Sequence, residues 1–335
     1  MNIDFLRALE IFTAVAEMRS MTAAARSLGI TQSGVSQQLH QLEADLGRTL
    51  VDRSVRPLAL TAAGTALQVK ASQFLNHAAE VRSLVRETGS TVMPNLRIAV
   101  IGSLAGTLVP PLVSALTRQI NIERISVSRG PVTTRENVLL NRDADMLITS
   151  DPLYDVDGLD RFPLFREPFI LALPRRKGAP WNEKMSFAAL AAAGSYIRYP
   201  RRTQMGWAIE TQLNRMRVAI DSKLEFDSPD DIMALVAAGL GWTVTSPSHV
   251  LQGIRNGEAI RTAPFPGPAF TRTVSLIVRS NELGSVPRDV HGICTKVIAE
   301  AFLPEIRKSV SWIEDRFEIL DADGQNTARA KDKIN

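Results

Sequence analysis

The sequence predicts a small helical head with a short β wing (residues 1–61), one long helix with a hinge (62–93), an α/β domain (94–305) and a polar tail (306–335). Three observations carry this. Apolar residues through the N-terminal quarter recur at spacings of three and four, the period of an amphipathic helix. From Leu96 onward, runs such as Leu96-Arg97-Ile98-Ala99-Val100-Ile101 alternate with helical segments, the grammar of an α/β sheet. Between the two regimes Gly89, Ser90 and Pro94 break both patterns and mark a boundary.

In the head, Phe5, Leu9, Phe12 and Ala16 share one face of a first helix. Thr22 is expected to cap a second, over 22–28, that stops at Gly29, a residue suited to the left-handed turn at a helix end. Thr31 or its neighbour starts a third helix reaching about Leu46, with Val35, Leu39 and Leu42 facing inward. Two helices joined by a short glycine turn and braced by another helix form the helix-turn-helix outline, in which small Ala25 lets the helices cross and Val35 fills their angle. The outer face of the third helix carries Gln32, Ser33, Ser36, Gln37 and His40, beside Thr31. These amides, hydroxyls and imidazole are groups able to read base edges in a major groove. Leu50-Val51 and Leu58-Ala59-Leu60 then flank a turn holding Arg53 and Arg56, a β wing whose cations suit phosphate or a minor groove.

Thr61 should cap the long helix, whose Leu67, Ala71, Phe74, Ala78, Val81 and Val85 repeat as a heptad seam fit for dimerisation. In the α/β region, further strands are expected at 122–128, 145–149, 169–173, 194–199, 242–246 and 274–278. Helices are expected at 104–118, 136–140, 202–219, 229–238, 247–255 and 288–302. Such alternation implies parallel-sheet units, with ligands beyond the carboxyl ends of the strands.

Composition narrows the class. The 335 residues are ample for two or three domains, and 45% apolar with 22% charged residues excludes a disordered or collagen-like chain. One cysteine, Cys294, excludes an intrachain disulfide framework and fits a reducing compartment. Asp4 and Glu10 within the first apolar periodicity do not fit a secretory signal, so the cytoplasm is expected. The uncharged stretches 98–117 and 232–254 contain prolines and glycines and read as core, not membrane spans. The net charge is +4, yet six arginines and six carboxylates balance over residues 1–60. Three of those arginines fall in the wing segment, so any nucleic-acid attraction is local and gains from doubling in a dimer.

The run Ala23-Ala24-Ala25-Arg26-Ser27-Leu28-Gly29-Ile30-Thr31-Gln32-Ser33, followed by Val35-Ser36, Leu39, Leu42-Glu43, Leu46-Gly47 and Leu60-Thr61-Ala62-Ala63-Gly64, resembles the N-terminal signature of LysR-type transcriptional regulators. Leu96–Val100 and the segment Leu235-Val236-Ala237-Ala238-Gly239-Leu240-Gly241 resemble parts of that family's effector domain, so the likeness spans about residues 3–305. The resemblance implies a winged helix-turn-helix, a linker helix and a periplasmic-binding-protein-like effector domain. Its first subdomain would comprise 94–169 and 272–305, and its second 170–271. It further implies promoter DNA, a small-molecule effector, a second copy of the chain as dimer or tetramer, and RNA polymerase as partners. Matching positions imply effector contacts at Ser103, Leu104, Ser128, Arg129, Arg198, Thr203 and Thr243. Two departures stand out: the family usually has proline where Ser33 or Gly34 stands, and often arginine at the position of Gln37.

Ser103 at a strand-to-helix turn, with Arg129, Arg198, Arg201 and Arg202, points to a small anionic effector. Catalysis is not expected: His40, His77, His249 and His291 lack metal-ligand spacing, and Ser103 is misplaced for a nucleophile elbow. No metal or cofactor is expected. The alternative is a cytoplasmic small-molecule receptor whose N-terminal helices serve protein association only.

Overall fold

A computed structural model describes residues 4–86, 93, 95–129, 135–175, 185–253, 259–313 and 316–327. The chain forms two compact units, residues 1–91 and 92–335.

In the first unit, α1 (Phe5–Met18) is capped by Asp4 and buries Leu9, Ile11, Phe12 and Val15. The second helix, α2 (Met21–Leu28), is capped by Ser20, whose Oγ accepts from the Ala23 N–H; the cap lies two residues before the expected Thr22. Serine also caps well, and Arg19 at φ +49° turns the chain sharply enough to free Ser20. Gly29 at φ +65° ends α2. Thr31 caps α3 (Gln32–Leu46) through the Gly34 N–H at 3.1 Å. Val35, Leu39 and Leu42 are fully buried beside Ala25. Short strands β1 (Val51–Asp52) and β2 (Ala59–Leu60) pair antiparallel as the wing.

Thr61 opens the 25-residue α4 (Ala62–Arg86) by accepting from the Gly64 N–H at 3.0 Å. Gly64 is required there, because a Cβ would lie 2.0 Å from the Leu50 carbonyl oxygen. The expected seam divides. Ala71 is buried and Leu67 half-buried in the head's own core, so they serve intramolecular packing, whereas Phe74 is 51% exposed. The side chains of Val81 and Val85 lie outside the described residues.

The second unit holds a six-stranded sheet in which β13 (Glu318–Ile319) forms one edge, in the order β13-β6-β12-β5-β3-β4. Strands β3 (Leu96–Val100), β4 (Ile125–Arg129) and β5 (Met146–Thr149) are parallel, while β12 (Thr271–Arg279) runs antiparallel to both β5 and β6 (Leu159–Pro168). A second, antiparallel sheet orders β10 (Thr243–Thr245), β7 (Ile170–Pro174) and β11 (Ile260–Pro264). The parallel-sheet units expected from the alternation are thus confined to β3, β4 and β5, and the remaining strands of both sheets pair antiparallel. The chain returns between sheets through β6 and β12, which places two long antiparallel strands side by side. Where the strands leave the first sheet, the Phe169 and Phe270 rings stack at 4.1 Å, and the Phe169 N–H donates to the Phe270 carbonyl.

Around the first sheet lie α5 (Gly102–Ala105), α6 (Val109–Gln119), α7 (Arg135–Leu140) and α12 (Val286–Val297), which widens into a π turn at Ile298–Phe302. Around the second lie α8 (Phe187–Ala193), α9 (Gln204–Arg215), α10 (Pro229–Ala237) and α11 (Pro247–Gln252), with a two-residue pair of β8 (Ile197–Arg198) and β9 (Leu224–Glu225). The helix expected over 104–118 is broken after Ala105, and α6 restarts with Pro110 and Pro111 in its first turn. One apolar core runs continuously beneath both sheets.

The polar tail expected from residue 306 is not a tail up to Thr327. Helix α13 (Leu303–Ser309) and strand β13 (Glu318–Ile319) follow, the latter antiparallel on β6. Ile306, Val310 and Ile313 are fully buried, Leu320 is 1% exposed, and Phe317 stacks on Phe165 at 5.0 Å. Interleaved charges, among which Arg307, Lys308 and Arg316 are exposed, mask this apolar period of four and three.

Candidate nucleic-acid interface and ligand cleft

Helix α3 presents a polar row to solvent. Gln32, Ser33, Gln37 and His40 are exposed and Ser36 is half-buried. The spacing of four between Gln32 and Ser36, Ser33 and Gln37, and Ser36 and His40 sets two adjacent rows on one face. Thr31 Oγ1 is committed to the cap and lies 3.1 Å from Ser33 Oγ. A Cβ on Gly34 would approach that capping oxygen to 3.2 Å, so glycine leaves the cap unhindered.

Glu43 on α3 ties this helix to the wing. Its Oε1 accepts from the Leu50 and Val51 N–H groups at 2.9 and 3.2 Å, and its Oε2 accepts from Arg53 Nη2 at 2.9 Å. Arg53 Nη1 also donates to His40 Nε2 at 2.5 Å, which requires the neutral imidazole to carry its proton on Nδ1. Two expected DNA contacts, His40 and Arg53, are thus partnered with each other, a coupling that sequence spacing alone did not show. Arg56 at the wing tip is exposed and forms no ion pair among the described residues. Arg56→Ala should therefore reduce the salt slope of DNA binding by about one unit with little change in stability. Titrating affinity against salt checks this, and an unchanged slope removes Arg56 from the interface.

The expected effector contacts differ in how far the protein already satisfies their polar groups. Ser103 and Leu104 are buried in α5, and the Ser103 hydroxyl has no hydrogen-bond partner among the described residues. Thr203 caps α9, accepting from the Gly206 N–H at 3.1 Å and donating to the Pro200 carbonyl at 2.7 Å. Thr243 is fully buried and donates to the Ile197 carbonyl at 2.8 Å. Ser128 and Arg129 stand exposed on the edge strand β4. Arg198 pairs through Nη2 with Glu210 at 2.9 Å, leaving its buried Nε without a hydrogen-bond partner among the described residues, and Arg202 pairs with Asp227 at 3.1 Å.

Between β6 and β12 on one side and α9 on the other lies a cleft of about 480 Å³. No strand was expected over 159–168, where Pro163 and Pro168 interrupt the strand pattern, so one wall of this cleft had no counterpart in the sequence. A buried network braces its floor. Glu167 on β6, fully buried, accepts from Arg272 Nε on β12 at 2.7 Å and from the Ser248 N–H and hydroxyl at 3.0 and 2.7 Å. Nearby, the Tyr199 hydroxyl bonds Thr245 Oγ1 at 2.9 Å, and burial raises the Tyr199 pKa well above the ordinary phenol value.

No group of three or more His, Cys, Asp or Glu side chains suited to a metal occurs among the described residues. No described helix is long and apolar enough to cross a membrane. Burial pushes the Cys294 thiol up to about 12, so thiolate chemistry is suppressed. Alkylation of the native protein at pH 8 should be negligible and become rapid in denaturant. Rapid native labelling, read by mass spectrometry, would contradict the buried placement.

Residues 6–65 match the family described as bacterial regulatory helix-turn-helix protein, lysR family, and residues 90–296 match the LysR substrate binding domain. A probable hydrogen peroxide-inducible genes activator of Streptomyces viridosporus is 27% identical over 279 residues, 82% of this chain and 88% of that protein. The regulator ShiR of Corynebacterium glutamicum is 30% identical over 247 residues, 73% of this chain and 82% of its own length. A full-length CbnR structure complexed with its target DNA aligns with TM-score 0.63 at 24% identity, covering 91% of this chain and 99% of that one.

Proposed function

The chain belongs to the LysR family of transcriptional regulators, and from that premise we propose that α3 reads promoter DNA while the α/β unit transmits occupancy by a small-molecule effector. The single observation that carries the DNA reading is the exposed row of Gln32, Ser33 and Gln37 on a firmly capped helix, with the wing held against that helix by Glu43. Gln and Ser hydrogen-bond base edges, Gln pairing bidentately with adenine, and the wing arginines meet phosphate. A head of zero net charge binds weakly by itself, which favours action as a dimer or tetramer. RNA polymerase at the promoter is the remaining macromolecular partner of this reading. The protein works in the cytoplasm beside the nucleoid, where a reduced single thiol is at home.

Ser103 and Arg198 are the effector contacts best supported among those expected, since the buried Ser103 hydroxyl and Arg198 Nε have no hydrogen-bond partner among the described residues and gain most from a ligand. Effector binding shifts the population of subdomain arrangements about the stacked Phe169–Phe270 crossover. Thiol-based peroxide sensing, suggested by the name of the Streptomyces relative, is disfavoured by a lone, deeply buried cysteine. No catalytic role is assigned. The test is binding of the purified full chain to DNA upstream of its own gene, against a scrambled duplex of equal length. Preference for the native duplex supports the reading; equal affinity for both favours the receptor whose helical head serves protein association.

A further inference from the structure

We propose that the cleft between the hinge strands β6 and β12 and helix α9 is a second small-molecule site, completed by the C-terminal segment, that takes an uncharged, flat ring compound. The site lies apart from Ser103, which does not line it. Its chemistry follows from which lining groups are committed. Three arginines border the cleft and each is matched by the protein. Arg272 donates to Glu167 at 2.7 Å, and Arg166 pairs with Glu318 of β13 at 2.7 Å. Arg161 donates to the carbonyls of Pro152, Leu153, Leu159 and Val156. An anionic ligand would have to break these arrangements to gain a charge-assisted bond.

The uncommitted groups are neutral. The hydroxyls of Ser150, Thr271, Thr273 and Ser275 and the amide of Gln204 line the cleft and form no hydrogen bond among the described residues. Aromatic surface stands at the same place, with Trp207 on α9 57% exposed and Tyr154 82% exposed. A large ring left this open is costly unless something covers it, and an indole face stacks well on a flat ligand. A cleft of about 480 Å³ lies within the size range of small-molecule sites.

The last wall is the segment after Phe302. Leu320 and Gly324 line the cleft, and β13 is held on β6 by backbone pairing and the Glu318–Arg166 ion pair. The same segment reaches the second subdomain, where Trp312 Nε1 donates to Thr262 Oγ1 on β11 at 3.2 Å and α13 packs on α11. It lies beyond residue 296, where the match to the family's substrate-binding domain ends. A ligand here touches the first sheet, α9 and the strap that spans both subdomains, so its occupancy biases their arrangement. That last step rests on the regulator reading above, whereas the binding itself does not.

The test is ligand-observed NMR on the full-length protein with indole and 2-quinolone as uncharged probes and 1-naphthoate and 1-naphthylmethylammonium as charged ones. The uncharged probes should bind, and Trp207→Ala and Thr273→Val should each weaken them by about tenfold and threefold respectively. Ser103→Ala should leave them unchanged. Both lining variants alter uncommitted side chains, and an unshifted melting temperature confirms their folding. Preference for 1-naphthoate, absence of binding, or binding insensitive to Trp207→Ala but lost in Ser103→Ala would each overturn the proposal. Affinity for the upstream DNA measured on the same samples shows whether the regulator reading stands or falls separately.

Discussion

Glu167→Ala is expected to destabilise the α/β unit by about 3–5 kcal/mol, because it strands the guanidinium of Arg272 in a buried site. Arg272 is 8% exposed, and its Nη2 also donates to Ser248 Oγ at 2.6 Å. Removing the carboxylate costs that hydroxyl and the Ser248 N–H their acceptor as well. Glu167→Gln keeps one acceptor and the shape, so its cost should be clearly smaller. Urea unfolding followed by the fluorescence of buried Trp242 reports on this unit. A loss below about 1 kcal/mol for the alanine variant would mean that Arg272 finds another partner or reaches water.

Glu43→Ala should have the second-largest effect, and it should act on stability and DNA binding together. The carboxylate satisfies two backbone N–H groups at the wing's first strand and the Arg53 guanidinium. Charge-assisted bonds of this kind are worth about 1.5–3 kcal/mol each when well placed, and partial access of water lowers that here. A head destabilised by about 2–3 kcal/mol follows. Specific DNA affinity should fall more than tenfold, because the wing loses its register against α3. Differential scanning of the isolated transition and anisotropy titrations check the two parts. Normal DNA affinity with a lowered melting temperature would show that the wing is not positioned by Glu43.

Much of the head was legible because its signals are local. Thr31 and Gly29 occupy cap positions that short-range hydrogen bonding dictates, and Val35, Leu39 and Leu42 follow the helical period. The cap of α2 was misplaced by two residues because Ser20 and Thr22 offer the same chemistry, and only the φ of Arg19 decides between them. In the α/β unit the misses are non-local. Strand β6 contains Pro163 and Pro168, and it accommodates Pro163 through a register shift opposite Val274 and Ser275. That shift depends on a partner over a hundred residues away. The C-terminal segment carried a readable period at Ile306, Val310, Ile313, Phe317 and Leu320, overshadowed by its charged neighbours.

Site residues divide along the same line. Gln32, Ser33 and Gln37 are exposed as their helical positions require. Thr203 and Thr243 fall on the expected elements, but their hydroxyls donate to the Pro200 and Ile197 carbonyls; Arg198 pairs with Glu210 and keeps its buried Nε without a hydrogen-bond partner among the described residues. A residue's neighbours in space, not its position in a motif, decide whether it is free to bind.

The central claim, that α3 reads DNA sequence, is tested most directly by selecting binding sites from randomised duplexes with the full-length chain and with Gln37→Ala. The account predicts enrichment of sites with two-fold symmetry whose half-sites are separated by whole helical turns, about 10–10.5 base pairs each. It predicts relaxed preference at one position per half-site for the variant, worth about 1–3 kcal/mol of discrimination. No enrichment by the wild-type chain, or an identical preference in Gln37→Ala, would contradict it.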